Sequence, residues 1–430
     1  MRSLWATLFR RPARPAPGVW VVAPFTNFAY AADGGRYGYL AAEASRAGAA
    51  VTLFTSGFDH YTKQRKPRPA ETGIRLVLVY EPGYRANVSL RRVASHMVFD
   101  LCLLGAGIWT ALAHGRPQSI LCPLPHNGGA LLLGLLAKLL GSKFIVDVHD
   151  TWPESLLAVH RVRLYQRPFY RLWRGCGDTA LRLGDAVFAE SDRYAERANR
   201  IRLPHGQSSA TRVYLGGDLD YYATAGTSSR LPSEVGRAPF RAVYVGNLGR
   251  NYDLDTLVQA FRQLQDAHPS ASLVFLGSGE LESWLRHRVA ELGINAWFSG
   301  GVPHQELVGL LRQGSYGLNT FAAGGNVAYS YKLNDYWLAG VPVINSLDGE
   351  VWQAVERWDL GYNYPAGDVG ALAAVLRLAC TDRERAERQR QQVQAFAAMY
   401  LDRRRIYLPM LDALLSKPQP ASRRDLNPRA

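Results

Sequence analysis

The sequence predicts an α/β protein built from two Rossmann-like domains that face each other across a cleft. The chain has 430 residues, whereas a single hydrophobic core stops growing at roughly 250–300 residues, so two domains are expected. In both halves, short apolar runs rich in β-branched residues alternate with longer helical patterns, which is typical of parallel βαβ units. Ligands of such folds bind at the carboxyl ends of the strands.

The first half of the chain, residues 1–217, is predicted to form one domain. Its strand-like runs are 18–25, 50–56, 74–81, 119–124, 143–150, 185–191 and 211–217. Its clearest helical patterns are 36–48 and 128–141, and each lies between two of these runs.

A stretch richer in Gly, Ser, Thr and Pro, residues 218–239, marks the domain boundary, and the alternation then restarts. The second domain is therefore predicted over residues 218–395. Its strand-like runs are 240–246, 271–279, 296–301, 316–321 and 341–346, and its helical patterns are 253–267, 280–293 and 304–314. An arginine-rich pattern predicts one long helix from 383 to 415, and residues 396–430 are assigned to the end of this helix and a loose tail.

The cysteines predict a reducing, cytoplasmic environment. The chain has four of them, Cys102, Cys122, Cys176 and Cys380, and their spacing fits neither a metal site nor a disulfide framework. We therefore expect free thiols.

No segment has the pattern of a membrane span. The most apolar run, residues 97–115, is interrupted by Asp100 and two glycines, whereas a span needs about 18 or more apolar residues. The start of the chain has an apolar run too short for an export signal, followed by arginines and prolines. The expectation is a protein that does not cross a bilayer.

The formal charge of +14 favours anionic partners such as nucleotides, lipid head groups or nucleic acid. Residues 1–15 combine Leu4, Trp5, Leu8 and Phe9 with arginines, which is typical of an interfacial anchor. A basic composition without a specific partner is the alternative. No nucleic-acid-binding motif is recognised, so nucleic acid is not expected as a partner.

Two glycines, Gly34 and Gly35, lie between the first strand and the first helix. Without Cβ atoms the backbone can approach a bound group closely, and a helix N-terminus favours negative charge. The pair is therefore a candidate donor-binding loop. A simple glycine turn explains it equally well, since the pattern is not the GxGxxG fingerprint of dinucleotide sites.

The fifth strand ends in the sequence DVHD. Side chains alternate along a strand, so Asp147 and His149 share one face, and Asp150 lies at the ligand-binding end. Histidine titrates near neutral pH and suits hydrogen bonding to sugar hydroxyls or proton transfer. A metal cluster or a loop-capping role for Asp150 remains an alternative.

In the second half, Gly246, Gly249 and Arg250 follow a strand and precede a helix. Glycines open space, and a guanidinium binds phosphate with two hydrogen bonds, so this loop is a candidate diphosphate site. Asp253 is expected to cap the following helix. The DLD triplets at 218–220 and 253–255 are weak candidates for metal binding, and no metal site is predicted.

The segment 326–345 carries Ser330, Lys332 and Asp335 at the start of a short amphipathic helix. Lys332 and Asp335 are three residues apart and share one helical face. They are either an ordinary ion pair of about 0.2–0.5 kcal/mol, with Ser330 as the helix cap, or a nucleotide site. In the second case Lys332 binds a diphosphate and Asp335 accepts hydrogen bonds from ribose hydroxyls.

Nearly the whole chain resembles the retaining, GT-B-fold glycosyltransferases of family 4. The segments that carry the resemblance are DGGRYGYLAAEASRAGAAVTLFTS, DVHDTWPES, DAVFAESDRYAERA, VYVGNLGRNYDLDTLVQAF, LVFLGSGE, FSGGVPHQEL, SYKLNDYWLAGVPVI and LGYNYPAGD. DVHDTWPES and SYKLNDYWLAG, together with FDHYTKQRKPR and EPGYRANVSLRR, are similar to the subgroup that builds surface polysaccharides such as O-antigen or capsule.

The resemblance implies roles for individual residues. His149 matches the family histidine that approaches the donor sugar, and Asp335 takes the place of the second glutamate of the E-x7-E pattern, beside the ribose. Val327 stands where the first glutamate is expected, so amides of residues 324–326, which include Gly325 and Asn326, are expected to replace it. Arg250 and Lys332 are then the phosphate ligands.

As a whole, the resemblance implies transfer of a sugar from a nucleotide-sugar donor to a polyprenyl-linked saccharide at the inner face of the cytoplasmic membrane. The apolar helix 128–141 and residues 1–15 are expected to touch that surface. No metal or other cofactor is expected. The alternatives are a nucleotide-sugar epimerase of the same fold and a non-catalytic polyanion-binding protein.

Overall fold

The computed structural model describes residues 17–26, 35–60, 62–67, 73–86, 89–154, 168–324 and 327–417. Structural statements below concern these residues. The predictions for residues 1–15, for Gly34, for Gly325 with Asn326, and for the tail after residue 417 lie outside them.

The first half of the described chain forms a seven-stranded sheet in which every pairing is parallel, in the order β3-β2-β1-β4-β5-β6-β7. The strands are β1 (Gly18–Val22), β2 (Ala50–Ser56), β3 (Arg75–Val79), β4 (Ser119–Leu124), β5 (Lys143–Val148), β6 (Ala186–Ala189) and β7 (Thr211–Arg212). The helices are α1 (Gly35–Arg46), α2 (Leu90–His114), α3 (Asn127–Leu140), α4 (Pro168–Leu183) and α5 (Asp192–Arg202), followed by a 3₁₀ turn, Leu203–His205.

The second half forms a six-stranded parallel sheet in the order β10-β9-β8-β11-β12-β13. Its strands are β8 (Arg241–Val245), β9 (Ser272–Leu276), β10 (Ala296–Phe298), β11 (Tyr316–Asn319), β12 (Val343–Asn345) and β13 (Gly361–Asn363). Its helices are α6 (Leu219–Thr224), α7 (Ser233–Gly236), α8 (Leu254–Ala267), α9 (Glu282–Glu291), α10 (His304–Leu311), α11 (Tyr331–Leu338), α12 (Glu350–Trp358) and α13 (Val369–Thr381). The predicted α/β architecture with two parallel sheets is confirmed.

Helix α2 covers the first sheet together with α3 and α4, with α3 packed between the other two. No helix was predicted for residues 97–115, which were considered only as a membrane span and rejected as one. Ser89 caps the helix by accepting a hydrogen bond from the Arg92 amide, and Gly115 ends it at φ +85°. Within the described chain, α2 is long and apolar enough to cross a membrane by length and composition. Helices that cover a protein core meet the same criteria, and Phe99 and Leu103 of α2 are buried against the sheet.

The predicted single helix from 383 to 415 is wrong. The chain forms three helices there, α14 (Arg383–Tyr400), α15 (Arg403–Ile406) and α16 (Leu408–Leu415). Asp402 interrupts the helical pattern because its side chain accepts a hydrogen bond from the Arg404 amide and caps α15. A proline at the start of α16 sets the next helix boundary.

Helix α16 returns to the first sheet and packs against α1 and β4. The Ser119 hydroxyl donates a hydrogen bond to the Leu414 carbonyl over 2.6 Å, and Met410 and Leu414 are fully buried. Gly217 and Asp402 form an isolated parallel β-bridge where the chain passes between the two sheets. Helix α16 therefore belongs structurally to the first domain, although it follows the second domain in sequence.

Substitution of Leu414 by alanine should lower the free energy of unfolding by about 2–5 kcal/mol, because it leaves a cavity between α16 and the first sheet. The matched control is Leu408→Ala, since Leu408 lies on the same helix but is 51% exposed; its effect should stay within about 0.5 kcal/mol. Chemical denaturation of both variants measures the difference. Equal effects of the two substitutions would contradict the docking of α16.

Candidate functional site

The candidate site lies where the carboxyl ends of strands from the two sheets approach each other. His149 follows β5, Glu190 follows β6, and the Tyr331 hydroxyl of α11 donates a hydrogen bond to Glu190 Oε2 over 3.3 Å. Tyr214 of the first half also stacks on Tyr329 of the second, with ring centroids 5.3 Å apart. These contacts join the two halves at the strand ends, where α/β proteins bind ligands.

A buried network of charged side chains forms the base of the site. Arg36, in the first turn of α1, bonds both carboxylate oxygens of Asp147 over 2.8 and 2.9 Å, and the Tyr37 hydroxyl donates to the same carboxylate over 2.9 Å. His149 Nε2 lies 2.7 Å from Asp147 Oδ2, and its Nδ1 lies 3.0 Å from Glu190 Oε2. Two cations and two carboxylates therefore meet in one hydrogen-bonded chain.

The network holds His149 in its charged form. Burial disfavours the imidazolium, but the adjacent Asp147 and Glu190 carboxylates outweigh burial and raise the pKa of His149 to about 9. Burial disfavours ionised Asp147 as well, yet Arg36 and His149 lower the pKa of this carboxyl well below its usual range. Burial raises the pKa of Glu190. At neutral pH, His149 is thus a fixed positive charge with both ring nitrogens bound to carboxylates.

The predicted site residues near the first sheet lie in different environments. Gly35 opens α1 at φ +57°, directly before Arg36. Asp150 makes local contacts, because its carboxylate accepts hydrogen bonds from the Thr151 amide and from Trp152 Nε1, both over 2.7 Å. The loop role that the sequence analysis left open for Asp150 is therefore present, and its catalytic role stays a prediction.

In the second half, Lys332 has a buried amino group without a counter-charge. It is 7% exposed, and its Nζ has no hydrogen-bond partner among the described residues. The amino group lies 4.0 Å from the ring centroid of Tyr244 and 3.7 Å from that of Tyr252. Burial lowers the pKa of Lys332 well below its usual range.

The alternative of an ion pair between Lys332 and Asp335 is wrong. Asp335 Oδ1 instead accepts a hydrogen bond from the Tyr222 hydroxyl over 2.6 Å and lies 3.1 Å from His304 Nε2. The side chain of Ser330 makes no capping hydrogen bond to α11 either. Lys332 and Asp335 therefore have different neighbours, although their spacing would allow a contact on one helical face. The predicted ribose contact of Asp335 stays a prediction.

Glycines leave the backbone bare beside Lys332. Gly246 follows β8 at φ +108° and Gly277 follows β9 at φ +142°. A Cβ on Gly277 would lie 2.1 Å from the Gly246 carbonyl oxygen, so no other residue fits there, and a Cβ on Gly246 would lie 3.9 Å from Lys332 Cε. A buried amino group and an uncovered backbone therefore meet at the carboxyl ends of two adjacent strands.

Arg250 lies at the outer side of this loop. Its side chain is 80% exposed, and its Nε lies 3.4 Å from Glu280 Oε1. An exposed pair of this kind interacts weakly, so Arg250 is accessible to an anion. Its predicted phosphate contact stays a prediction.

Sequence reasoning missed Arg36, Glu190 and Glu350. Arg36 directly follows the glycines before the first helix, and Glu190 lies at the end of a strand-like run, so position at a strand or helix end could have identified them. Glu350 Oε2 accepts hydrogen bonds from the Asp192 and Arg193 amides of α5, over 2.7 and 3.4 Å. That contact joins distant parts of the sequence and leaves no local pattern.

The described residues contain no group of three or more His, Cys, Asp or Glu side chains arranged to hold a metal ion. The first aspartate of each DLD triplet caps a helix: Asp218 accepts hydrogen bonds from two amides of α6, and Asp253 from the Thr256 amide of α8. These side chains therefore have structural roles.

The chain matches two glycosyltransferase families. Residues 35–208 match the family described as "Glycosyl transferase 4-like domain", and residues 233–396 match "Glycosyl transferases group 1". Together the two matches cover most of the chain.

Curated relatives match a smaller part. Glycogen synthase from two strains of Mycobacterium tuberculosis is 29% identical over 165 residues, which cover 35% of this chain. The match spans only 38% of the length of these relatives.

Solved structures match over almost the full chain. Sucrose-phosphate synthase from Thermosynechococcus elongatus has a TM-score of 0.69 at 18% identity, covering 92% of this chain and 97% of that one. Anabaena Alr3699/HepE, in complex with UDP, has a TM-score of 0.62 at 13% identity, covering 93% and 99%. WaaG, a glycosyltransferase involved in lipopolysaccharide biosynthesis, has a TM-score of 0.60 at 14% identity and the same coverage.

At these identities the solved structures show only the fold of this chain. The two family matches add that each of two regions resembles a glycosyltransferase domain. The 4-like match lies on the first parallel sheet and the group 1 match on the second. The chain therefore has the GT-B fold, and most of it matches glycosyltransferase families.

Proposed function

We propose that this glycosyltransferase transfers a sugar, with retention of anomeric configuration, from a nucleotide-sugar donor to a lipid-linked saccharide acceptor in surface-polysaccharide synthesis. The observation that carries the donor part of the proposal is the unpaired, buried amino group of Lys332 beside the glycine loop of the second sheet. The acceptor and the pathway rest on the resemblance of the sequence to that subgroup.

Lys332 has the properties of a diphosphate ligand. An unpaired buried cation is costly, and the cost is removed when an anion binds beside it. The aromatic rings of Tyr244 and Tyr252 hold the amino group in place, while Gly246 and Gly277 let a phosphate approach the backbone. Binding of a diphosphate would return Lys332 to its charged form.

Structural neighbours support a nucleotide-sugar donor. Anabaena Alr3699/HepE was solved with UDP-glucose, and an Escherichia coli protein described as trehalose-6-phosphate was solved with UDP-2-fluoro glucose. These ligands belong to those proteins. By fold, we assign the same class of donor to the cleft beside Lys332.

Sugar transfer breaks the bond between the anomeric carbon and the diphosphate and forms a bond from that carbon to the acceptor oxygen. Negative charge develops on the departing phosphate, where Lys332 and backbone amides would stabilise it. In the proposed retaining reaction, the acceptor hydroxyl attacks from the face that the phosphate leaves, and its proton passes to the phosphate oxygen. Since the chain itself supplies the cation, we propose that no metal cofactor is needed.

We assign His149 the role of a fixed positive charge near the donor rather than that of a proton shuttle. Both of its nitrogens are already bound to carboxylates in the cleft. A nucleotide-sugar epimerase would instead need carboxylates available for acid and base steps. Asp147 and Glu190 are tied to Arg36 and His149, which favours the transferase over that alternative.

The function is tested by incorporation of labelled sugar from a panel of UDP-, GDP- and dTDP-sugars into the lipid extract of bacterial membranes. We expect label from one donor, and we expect it to persist in EDTA. Loss of label in EDTA would contradict the metal-free reaction. If no donor labels lipid although acceptor-rich membranes are supplied, the epimerase or the polyanion-binding alternative is favoured, and salt-sensitive binding identifies the latter.

Replacement of Lys332 by methionine should weaken nucleotide diphosphate binding about 10- to 100-fold, because a charge-assisted hydrogen bond contributes about 1.5–3 kcal/mol. Stability should be unchanged or rise by about 1 kcal/mol, since an unpaired buried amine is removed. Isothermal titration calorimetry and thermal denaturation measure both effects.

The matched control is Lys138→Met, at an exposed lysine that bonds Asp185; it should leave nucleotide affinity unchanged. If Lys332→Met destabilises the protein but binds nucleotide diphosphate with wild-type affinity, Lys332 has only a structural role.

The buried charge network around His149 should make the free energy of unfolding depend on pH above neutrality. Because the folded pKa of His149 is about 9 and the usual value is about 6.5, its stabilisation is complete below pH 6.5 and is lost as pH rises through 9. The full contribution is about 3 kcal/mol. The free energy of unfolding, measured from pH 6 to 10, should fall more steeply for the wild type than for His149→Gln.

Other groups titrate over the same range, so the comparison needs a second histidine variant. His205→Gln removes an exposed histidine and should reproduce the wild-type pH profile. Parallel profiles for the wild type and His149→Gln would mean that His149 is not charged in the native protein.

A further inference from the structure

The outer surface of α2, α3 and α4 is apolar over an unusual extent. On α2, Met97, Leu101, Ile108 and Leu112 project outward, and Leu112 is 83% exposed. Their spacing of four and seven residues places them along one stripe of the helix. At a rise of about 1.5 Å per residue, the stripe from Met97 to Leu112 is about 22 Å long.

The adjacent helices continue this surface. Leu135 and Leu139 project from α3, one turn apart, and Phe169 and Leu172 project from α4. Because α3 packs between α2 and α4, the exposed side chains belong to one continuous face. Contiguous apolar patches of this size are rare on a free protein surface and mark interaction sites.

The charges on this face have one sign. Every exposed Arg, Lys, Asp or Glu side chain on the three helices is basic: Arg91, Lys138, Arg171, Arg174 and Arg182; of these, Arg174 lies 3.3 Å from Glu154. The acidic residues of these helices are withdrawn from the surface, since Asp100 is buried beside His126 and Asp178 bonds Arg197. In the described residues, Arg91, Arg171 and Arg182 have no acidic partner, whereas Lys138 pairs with Asp185.

We propose that the α2–α3–α4 face is the surface by which the protein lies on an anionic membrane leaflet. Exposed leucines enter the boundary of the acyl chains, and arginines reach the anionic head groups, as in helices that lie in the membrane plane. Trp109, which is 60% exposed on α2, has the amphipathic ring that favours this interface. A partner protein would not require exclusively basic charge around the apolar stripe.

The N-terminal part of α2 also contacts residues beside the cleft. In the first turn of α2, Arg92 lies over the Trp152 ring at 4.4 Å, and His96 stacks on the same ring. Trp152 bonds Asp150, next to His149. A lipid-linked acceptor held in the membrane would thus present its head group to the strand ends of the first sheet; this part of the inference rests on the proposed function.

Flotation with vesicles of phosphatidylcholine, with and without phosphatidylglycerol, tests the face in the absence of donor and acceptor. The full chain should bind the anionic vesicles at least tenfold better. The double variant Leu101→Glu/Leu139→Glu should lose at least tenfold in binding. The matched control, Leu203→Glu/Leu378→Glu, changes two leucines that are 52% and 54% exposed elsewhere and should bind as the wild type does.

A second measurement reads contact directly. Brominated lipids quench tryptophan fluorescence on contact, so Trp109→Phe should remove much of the lipid-dependent quenching. Trp284→Phe, at an exposed tryptophan of α9, should leave the quenching unchanged. This comparison does not depend on how strongly a glutamate disturbs folding.

Each other outcome overturns the proposal. It fails if the wild type does not bind anionic vesicles, or if the double variant binds them normally while deletion of residues 1–15 abolishes binding. It also fails if sedimentation shows a dimer that the double variant dissociates, because the face then binds a second copy. Vesicle binding and donor-dependent labelling are separate assays, so failure here leaves the proposed sugar transfer intact.

Discussion

The cleft depends on the buried ion pair between Arg36 and Asp147. Charges without water are costly unless hydrogen bonds satisfy them, and this pair has two such bonds between its own groups. The other end of the guanidinium donates to the carbonyls of Val213 and Tyr214, over 2.5 and 2.8 Å. Helix α1, strand β5 and the segment that leaves the first sheet are therefore held together by this ion pair. His149 takes its position and its charge from the same carboxylate.

Lys332 is the opposite case within the same cleft. The Arg36 network contains its own counter-charges, whereas Lys332 is buried among aromatic rings and its Nζ has no hydrogen-bond partner among the described residues. A protein gains no stability from such a group, and the proposed diphosphate would supply the missing charge. The first sheet thus presents a neutralised charge cluster, and the second presents an unpaired amino group beside bare glycine backbone. This asymmetry suits a cleft in which the anionic end of the ligand binds to the second domain.

Local pattern predicted most strands because parallel strands buried on both faces have continuous apolar runs. Local pattern did not predict elements or boundaries that have no distinct apolar or polar pattern in the sequence. Helix α2 was overlooked because its exposed face is as apolar as its buried one, and the break at Asp402 was missed because a side-chain cap competes with an otherwise continuous helical pattern. In the site, the spacing of Lys332 and Asp335 allowed an ion pair, and only tertiary contacts with Tyr222 and His304 decided against it. Glu350 could not be found from the sequence, because its partners lie about 160 residues away on another sheet.

The contacts between the two halves connect donor binding to the charge network. Tyr331 bonds Glu190 from the residue next to Lys332, and Glu350 accepts from the amides that begin α5. Burial and the nearby Asp192 raise the pKa of Glu350 to about 7, so this contact weakens as the carboxylate is protonated. The Glu190 carboxylate that lies beside His149 is thus the same carboxylate that α11 contacts through Tyr331, the residue next to Lys332.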